Sequence, residues 1–418
     1  MGAYFSPQEA RNTDLLDELG RLADTAGADV VGRAEQLRRA PDPACCIGKG
    51  KVTELAAEIE RLDADVVIFD VELTPSQIRN LEKALDTKVV DRTELILDIF
   101  ARHARTSAAQ LQVELAQLEY TYPRLRHMWR HLEKIEGGIG TRGPGERQIE
   151  SDRRMVRRRI DTLKKRLREI EERRAKEVRS RTDVTTIALV GYTNAGKSSL
   201  MNVLTGADAK VEDALFVTLD TRTRRWELGD GRKALLSDTV GFIRKLPHDL
   251  VSSFYATLEE VRRADLLLHV IDVSSPFARE QAETVTRVLE DIGCKDSPRI
   301  LALNKCDLLR DETIAPLFRR GGEEAVLVSA RTGRRLDVLR EKVIAFMDKS
   351  VLRLGVEFSV ANGKLHAYLM THTRVLAKSY DDSTAFFQVL IKPAELDVVR
   401  KLGGKVLGGK AAKAAAIE

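Results

Sequence analysis

The chain has 418 residues, of which 43% are hydrophobic and 32% are charged. This length allows two to four domains with their own cores, and the hydrophobic content is typical of globular proteins. No run of eighteen apolar residues is present and the first ten residues lack a signal-peptide pattern, so we expect a cytoplasmic protein without a membrane span. The four cysteines lack the spacing of a zinc site or a disulfide framework, and neither class of protein is indicated.

The first hundred residues alternate between strand-like and helix-like patterns. Residues 64–70 and 88–91 are short apolar strand candidates, and residues 75–85 between them have helical spacing. Thr74 followed by Pro75 is a typical helix start, because the threonine can cap the first turn and proline fits its first position. We therefore predict a small parallel α/β domain over residues 1–105.

Two segments with matching apolar seams follow. In both, apolar residues recur at alternating spacings of four and three, which is typical of helices that pack along their length. The first seam is Leu111, Leu115, Leu118 and Tyr122, and the second is Val156, Ile160, Leu163, Leu167 and Ile170. The pattern predicts an antiparallel helical hairpin over residues 106–180.

A glycine-rich stretch, residues 137–146, lies between the two seams and contains a literal G-x-G-x-x-G. It follows a polar helical segment instead of a strand, and Pro144 interrupts the helix that a dinucleotide fingerprint requires there. We interpret the stretch as a loop at the hairpin tip, with Arg142 and Arg147 upon it. Such a loop could enter a confined RNA surface or could be a plain linker.

The positive charge of the chain is concentrated in the second half of the hairpin. The net charge is +5, yet residues 151–181 contain 14 Lys and Arg against 6 Asp and Glu. Such clustering indicates either a nucleic-acid contact or a solvated coiled-coil face. The candidate RNA-binding residues are Arg142, Arg147, Arg153, Arg154, Arg157 and Arg158.

The next segment carries a phosphate-binding motif. Residues 191–198 read Gly-Tyr-Thr-Asn-Ala-Gly-Lys-Ser, preceded by an apolar strand candidate and followed by a helical pattern. This strand-loop-helix context is the one in which glycine-rich backbone amides bind phosphates, lysine reaches the β- and γ-oxygens and serine joins Mg²⁺. The predicted phosphate-binding residues here are Gly191, Asn194, Ala195, Gly196, Lys197, Ser198 and Ser199.

Three further motifs follow in the order of a guanine-nucleotide pocket. Asp238 ends an apolar stretch and would hold Mg²⁺ through water, while the N–H of Gly241 would contact the γ-phosphate. Asp307 would accept hydrogen bonds from N1–H and N2–H₂ of guanine, a pattern that adenine does not offer. Asn304 would brace the loops, Lys305 would cover the purine face, and Ala330, after Ser329, would donate its N–H to guanine O6. The sequence therefore predicts a P-loop GTPase domain over residues 181–348, a mostly parallel sheet with helices on both faces, with GTP as substrate and Mg²⁺ as cofactor.

The residues that sense Mg²⁺ and orient the hydrolytic water are harder to assign. Thr218, Thr221 and Thr223 all lie between the P-loop and Asp238, and we select Thr218 as the metal-sensing residue. Phe242 follows Gly241 at the position of a water-orienting glutamine. Because phenylalanine cannot position water, we expect slow intrinsic hydrolysis that a partner accelerates. His248 could substitute or could be an ordinary histidine, so the catalytic residue stays unknown.

The pattern of residues 349–418 predicts a small C-terminal α+β domain. Residues 356–360 and 385–391 are strand candidates, and a helical stretch through Leu365, Leu369 and Leu376 lies between them. His366 and His372 are not spaced as metal ligands on one helical face. The Lys- and Ala-rich residues 403–416 are expected to form a mobile tail.

Taken together, these motifs resemble the HflX family of ribosome-associated GTPases, within the Obg-HflX superfamily. The likeness covers roughly residues 29–348 and includes residues 67–70, 79–85, 91–100, 111–118, 215–220 and the glycine loop. The resemblance implies GTP-dependent binding to the large ribosomal subunit and its RNA, splitting or rescue of stalled ribosomes under stress, and ribosome-stimulated hydrolysis. It also implies a protein that is monomeric on the ribosome and in part ribosome-associated within the cytoplasm.

Two other functions are compatible with the same residues. A GTP-controlled protein-protein switch or ribosome assembly factor could use the hairpin as a dimerising coiled coil. An RNA-remodelling ATPase seated in the N-terminal domain would need a second nucleotide pocket, and the sequence has no second P-loop.

Overall fold

The structure is a computed structural model. It describes residues 1–6, 14–126, 144–179, 184–207, 215–216, 222–229, 232–244, 255–309, 313, 315–318, 323–349, 352–391 and 395–407.

The N-terminal domain contains two parallel two-stranded sheets and four helices. Its elements are β1 (Gly2–Tyr4), α1 (Asp14–Thr25), β2 (Glu35–Leu37), α2 (Lys49–Leu62), β3 (Val66–Phe69), α3 (Pro75–Leu85), β4 (Lys88–Asp91) and α4 (Arg92–His103). The helix predicted at residues 75–85 is confirmed, because Thr74 caps it in a reciprocal box with Gln77. Strands β3 and β4 are also confirmed, whereas the parallel pair β1–β2 was not predicted.

The basic hairpin consists of α5 (Ser107–Thr121) and α6 (Pro144–Arg179). Arg159 forms a bidentate ion pair with Glu114, and Arg153 lies against Tyr122, so the two helices run antiparallel as predicted. The seam between them buries Leu115, Ile160, Leu163 and Leu167.

The start of α6 corrects the sequence interpretation of the glycine loop. Pro144 begins the helix instead of interrupting one, since proline fits the first helical turn, where its missing N–H has no partner to lose. Arg147, predicted on the loop, therefore lies in the helix. Arg142 and the glycines at 137, 138, 140 and 143 lie outside the described residues.

The nucleotide-binding domain is built on a six-stranded sheet with the order β10-β9-β8-β5-β7-β6. Its elements are β5 (Thr185–Gly191), α7 (Lys197–Thr205), β6 (Arg222–Gly229), β7 (Arg232–Asp238), α8 (Tyr255–Arg263), β8 (Leu266–Asp272), α9 (Ala278–Asp291), β9 (Arg299–Asn304), β10 (Glu324–Leu327) and α10 (Leu336–Lys349). All neighbours pair in parallel except β6, which is antiparallel to β7. The α/β P-loop fold is confirmed, and the carboxyl ends of the central strands meet at one edge of the sheet.

The C-terminal domain is a four-stranded antiparallel sheet covered by two helices. Its elements are β11 (Leu352–Ser359), α11 (Gly363–His372), β12 (Arg374–Tyr380), β13 (Thr384–Ile391), α12 (Leu396–Lys401) and β14 (Lys405–Leu407). The predicted helix through Leu376 is wrong, because α11 ends at His372 and Leu376 lies in β12. The tail prediction is also wrong at its start, since β14 pairs with β11. Residues 408–418 lie outside the described part of the chain.

Within the described residues, no helix has both the length and the apolar character that crossing a membrane requires.

Candidate functional site

The P-loop connects the carboxyl end of β5 to the first turn of α7. Gly196 has a left-handed φ of 90°, and a Cβ there would overlap the side-chain amide of Asn304, so only glycine fits. Asn194 is also left-handed, with a φ of 58°, a conformation that asparagine tolerates better than most residues. The first turn of α7 begins at this loop, and backbone N–H groups at the start of a helix can bind phosphate.

Lys197, the first residue of α7, is folded back onto the loop. Its Nζ donates to the carbonyl of Gly191 at 3.1 Å and to that of Tyr192 at 2.9 Å. Burial lowers the pKa of Lys197 to about 8, although the nearby charge of Asp238 opposes this shift. A bound polyphosphate would stabilise the charged ammonium that burial penalises.

Ser198 and Asp238 bring a hydroxyl and a carboxylate together beside the P-loop. The Ser198 hydroxyl donates to Oδ2 of Asp238 at 2.6 Å, and Asp238 is fully buried at the end of β7. Oxygen ligands of these two kinds are the ones that Mg²⁺ prefers, so the residues present fit this metal.

Of the three candidate switch threonines, the structure describes Thr223. Thr218 and Thr221 lie outside the described residues. Thr223 lies in β6, with its Oγ1 at 2.9 Å from Oγ of Ser237, so this side chain belongs to the sheet.

The segment after Asp238 is held tightly against the P-loop. A Cβ on Gly241 would lie 2.7 Å from Cα of Thr193 and 3.0 Å from Nζ of Lys197, so a larger residue would collide there. The N–H of Phe242 donates to the carbonyl of Gly191 at 3.1 Å, and the carbonyl of Phe242 accepts from Thr193 at 2.7 Å. The Phe242 ring is buried in the hydrophobic core, and its hydrocarbon side chain has no group that could hydrogen-bond an attacking water. His248 lies outside the described residues.

A cleft of about 1040 Å³ adjoins the P-loop on the side of β9 and β10. It is lined by Ser199, Asn304, Lys305, Asp307, Ser329 and Ala330, together with Asn202 and Arg331. Three of the four sequence motifs therefore meet around one cavity of a size that suits a nucleotide, through Gly196, residues 304–307 and residues 329–330. The fourth motif adjoins the P-loop through Asp238, which accepts from Ser198.

Asn304 links the loops of this cleft. Its Nδ2 donates to the carbonyl of Ala195 at 2.9 Å, and its Oδ1 accepts from the N–H of Ala330 at 3.0 Å. Lys305 has a left-handed backbone, with a φ of 63°. Its Nζ lies 2.7 Å from Asp272, and this ion pair holds the end of the side chain.

Asp307, predicted to select the base, lines this cleft. Its Oδ1 is buried and, among the described residues, has no hydrogen-bond partner. A buried carboxylate oxygen without a donor is costly, and guanine N–H groups would supply that donor. Ala330, expected to donate to guanine O6, already donates to Asn304 in this structure, so a guanine contact would have to share that N–H.

The predicted RNA-binding arginines differ in their surroundings. Arg154, Arg157 and Arg158 are exposed on α6. Arg153 is half-buried, with its guanidinium 4.9 Å from the centre of the Tyr122 ring, so part of its role is to hold the hairpin together.

Sequence reasoning missed two P-loop residues with structural partners. The hydroxyl of Tyr192 donates to Glu18 in the N-terminal domain, and Oγ1 of Thr193 accepts from the N–H of Phe216 at 3.2 Å. Both occupy variable positions of the motif, which gives no signal for contacts distant in sequence.

Three family models match successive parts of the chain between residues 13 and 305. Residues 13–101 match a family described as "GTP-binding GTPase N-terminal", residues 103–181 match "GTP-binding GTPase Middle Region", and residues 186–305 match "50S ribosome-binding GTPase". GTPase HflX of Caldanaerobacter subterraneus subsp. tengcongensis is 47% identical over 91% of this chain and 87% of its own length. The chain belongs to the HflX family of GTPases. Its reaction is therefore the hydrolysis of GTP to GDP and phosphate.

A second curated relative and one solved structure are also similar to this chain. GTPase HflX of Escherichia coli K12 is 43% identical over 87% of this chain and 86% of its own length. A GTP-binding protein from Sulfolobus solfataricus, solved in complex with GDP, is 25% identical, with a TM-score of 0.45 over 83% of this chain and 99% of that one.

Proposed function

We propose that this HflX-family GTPase binds the large ribosomal subunit and its RNA in the GTP state and splits or rescues stalled ribosomes under stress. The observation that carries the proposal is the row of exposed arginines on α6, held on a helix that leads directly into the nucleotide-binding domain. A basic helical surface attracts the phosphates of RNA, and GTP hydrolysis in the adjoining domain can determine when the protein leaves the ribosome. The description "50S ribosome-binding GTPase" of the matching family supports the choice of subunit.

Within this proposal, each motif keeps its predicted part. The phosphates are bound by Gly191, Asn194, Ala195, Gly196, Lys197, Ser198, Ser199, Thr218 and Gly241, and the guanine by Asn304, Lys305, Asp307, Ser329 and Ala330. Ser198, Thr218 and, through water, Asp238 hold Mg²⁺. When bound, Mg²⁺ neutralises charge on the β- and γ-phosphates during transfer.

The position of Phe242 supports ribosome-stimulated hydrolysis. Among the described residues that follow Gly241, Phe242 and Ile243 are buried in the core and Arg244 pairs with Glu280, so none of these three side chains is placed to orient water. We propose that the ribosome supplies or orders the group that orients water.

The dimerising coiled-coil alternative is less well supported by the hairpin. Its seam residues Leu115, Ile160, Leu163 and Leu167 are buried against each other within one chain, so this seam is already occupied. We propose that the protein acts as a monomer on the ribosome, within the cytoplasm.

Sedimentation with ribosomes tests the proposal directly. The protein is mixed with intact ribosomes or separated subunits and with GDP, a non-hydrolysable GTP analogue or an ATP analogue. We expect cosedimentation with the large subunit, and dissociation of intact ribosomes, with the GTP analogue only.

The salt dependence of binding tests the role of α6. A footprint of about six phosphate contacts should lose roughly a thousandfold in affinity between about 50 and 200 mM salt. Changing Arg157→Gln and Arg158→Gln together should lower the slope of log affinity against log salt by about two. The matched control is Arg287→Gln with Arg340→Gln, which removes the same charge from exposed helix positions in the nucleotide-binding domain. Binding that does not change with salt, or an equal effect of both pairs, would contradict RNA attraction by α6.

A further inference from the structure

A buried polar cluster joins the P-loop to the N-terminal domain. The phenol O–H of Tyr192 donates to Oε2 of Glu18 on α1, and Arg92 at the start of α4 donates to Oε1 of the same carboxylate. Arg92 also pairs with Asp70 at 2.6 Å. Glu18, Arg92 and Asp70 are at most 2% exposed, so their charges are compensated by one another and not by water.

The same phenol contacts the segment that follows Gly241. The N–H of Arg244 donates to Oη of Tyr192 at 3.0 Å, while the carbonyl of Arg244 accepts from Nη2 of Arg92 at 3.2 Å. One hydroxyl therefore donates to the N-terminal domain and accepts from the backbone three residues after Gly241. Burial and the neighbouring Glu18 carboxylate raise the pKa of Tyr192 well above its ordinary value, so the phenol keeps its proton.

Tyr192 is itself part of the phosphate-binding loop. Its carbonyl accepts from Nζ of Lys197, and the flanking residues Gly191 and Thr193 exchange backbone hydrogen bonds with Phe242. Any shift of Gly241 toward or away from a γ-phosphate must therefore move or break the contact between Arg244 and Tyr192.

A second contact holds the segment before Thr218 in the same way. The N–H of Leu215 donates to Oγ1 of Thr25 on α1 at 3.3 Å. The ring of Phe216 packs edge-on against Phe100 of α4, with 4.7 Å between the ring centroids. Leu215, Phe216 and Arg244 are thus each in contact with a residue of α1 or α4.

We propose that Tyr192 is a positioning residue for GTP hydrolysis, through which Glu18 and Arg92 of the N-terminal domain fix the backbone at Gly241–Arg244 relative to the phosphates. Tyr192 transfers no proton and touches no reacting atom in this role. The proposal rests on the GTPase reaction alone, so turnover measured without ribosomes tests it independently of ribosome binding.

The test compares Tyr192→Phe, Glu18→Gln and the double variant in the full chain. Tyr192→Phe keeps the ring and removes only the hydroxyl, and we expect kcat per nucleotide-binding site to fall about tenfold, because small misplacements of reacting groups are costly. The KM for GTP and the Kd for GDP should stay within about twofold, since the guanine pocket is not altered. The double variant should be no slower than the slower single variant, because both changes break one contact.

Tyr380→Phe is the matched control, because it also removes only a phenol hydroxyl. That hydroxyl hydrogen-bonds His366 in the C-terminal domain and not a residue of the P-loop. Its kcat should not change. An unchanged kcat for Tyr192→Phe, or a loss confined to melting temperature and active fraction, would overturn the proposal.

Hydrogen exchange of the unmodified protein gives an independent answer if a variant fails to fold. The amide of Arg244 should exchange slowly without nucleotide, because its N–H is bonded to a buried phenol. Exchange at the rate of an unprotected amide would show that the contact does not hold this segment, and the proposal would fall.

Discussion

Among the described residues, the contacts that join the predicted guanine-binding loops lie within one domain, whereas several contacts on the phosphate side cross between two. Around the base, Asn304 bonds Ala195 and Ala330, and Lys305 pairs with Asp272, all within the sheet domain. Around the phosphates, Tyr192 bonds Glu18 and Leu215 bonds Thr25 of the N-terminal domain. The residues predicted to recognise the base are therefore positioned by the fold of one domain, while the geometry of the phosphate side also depends on how the two domains are docked.

The largest expected effect comes from Lys197→Ala. Removing the buried ammonium eliminates a charge-assisted contact with the β- and γ-phosphates, and GTP affinity should fall by about a thousandfold, on the scale of other buried charge pairs. Calorimetry with GTP measures the loss. Weak guanosine binding, which involves no phosphate, should be unchanged; equal losses for both ligands would mean that the two sides of the site are not separable.

Asp307→Asn should have a smaller and more selective effect. The amide would place its NH₂ donor against the N1–H or N2–H₂ donor of guanine, where no hydrogen bond can form. GTP affinity should therefore drop by about a hundredfold, while the affinity for xanthosine triphosphate should rise. Competition between the two nucleotides measures the change in preference. If the order of preference stays as in the unmodified protein, Asp307 does not read the base.

The pH dependence of phosphate binding should be the smallest of these effects. Because burial places the pKa of Lys197 near 8, well below the ordinary lysine value of about 10.4, its ammonium begins to lose its proton above pH 7. Nucleotide binding requires the charged form, so GDP affinity should weaken about fourfold between about pH 7 and 8.5. Titration with guanosine controls for ionisation of the base, and an identical pH profile for guanosine would remove the assignment to Lys197.

The sign of the linked stability change is opposite to that of the affinity. The unfolded chain binds this proton up to a higher pH than the folded chain does. The nucleotide-free protein therefore gains stability from Lys197 as the pH rises from about 8 toward 10. The N-terminal contacts of Tyr192 carry no such dependence in this range.

Local patterns predicted the parts of the molecule that depend on neighbouring residues. The capped helix after Thr74, the hairpin seam and the strand-loop-helix around Lys197 were all readable, because each is set by spacing within a few turns. Strand β6 was missed, since half of the edge residues Arg222–Gly229 are charged and the segment lacks the apolar run of a buried strand. The helix prediction through Leu376 failed because its apolar spacing continued into β12, where tertiary pairing decides the structure.

The bonds of Tyr192 could not be predicted in the same way. Glu18 is 174 residues away in sequence, and no periodicity links the two positions. A buried glutamate on an otherwise apolar helix face was the available signal, since such a carboxylate needs a partner. The sequence alone could not say which one.

Helix α6 has a mechanical consequence through its length. Its 36 residues span about 54 Å, with Arg179 only a few residues before the first strand of the nucleotide-binding sheet. A tilt of about 10° at that junction would carry the far end at Pro144 through about 9 Å, by the geometry of a straight rod of this length. A small change of angle at this junction would thus be magnified into a displacement about as wide as a helix at the far end of α6.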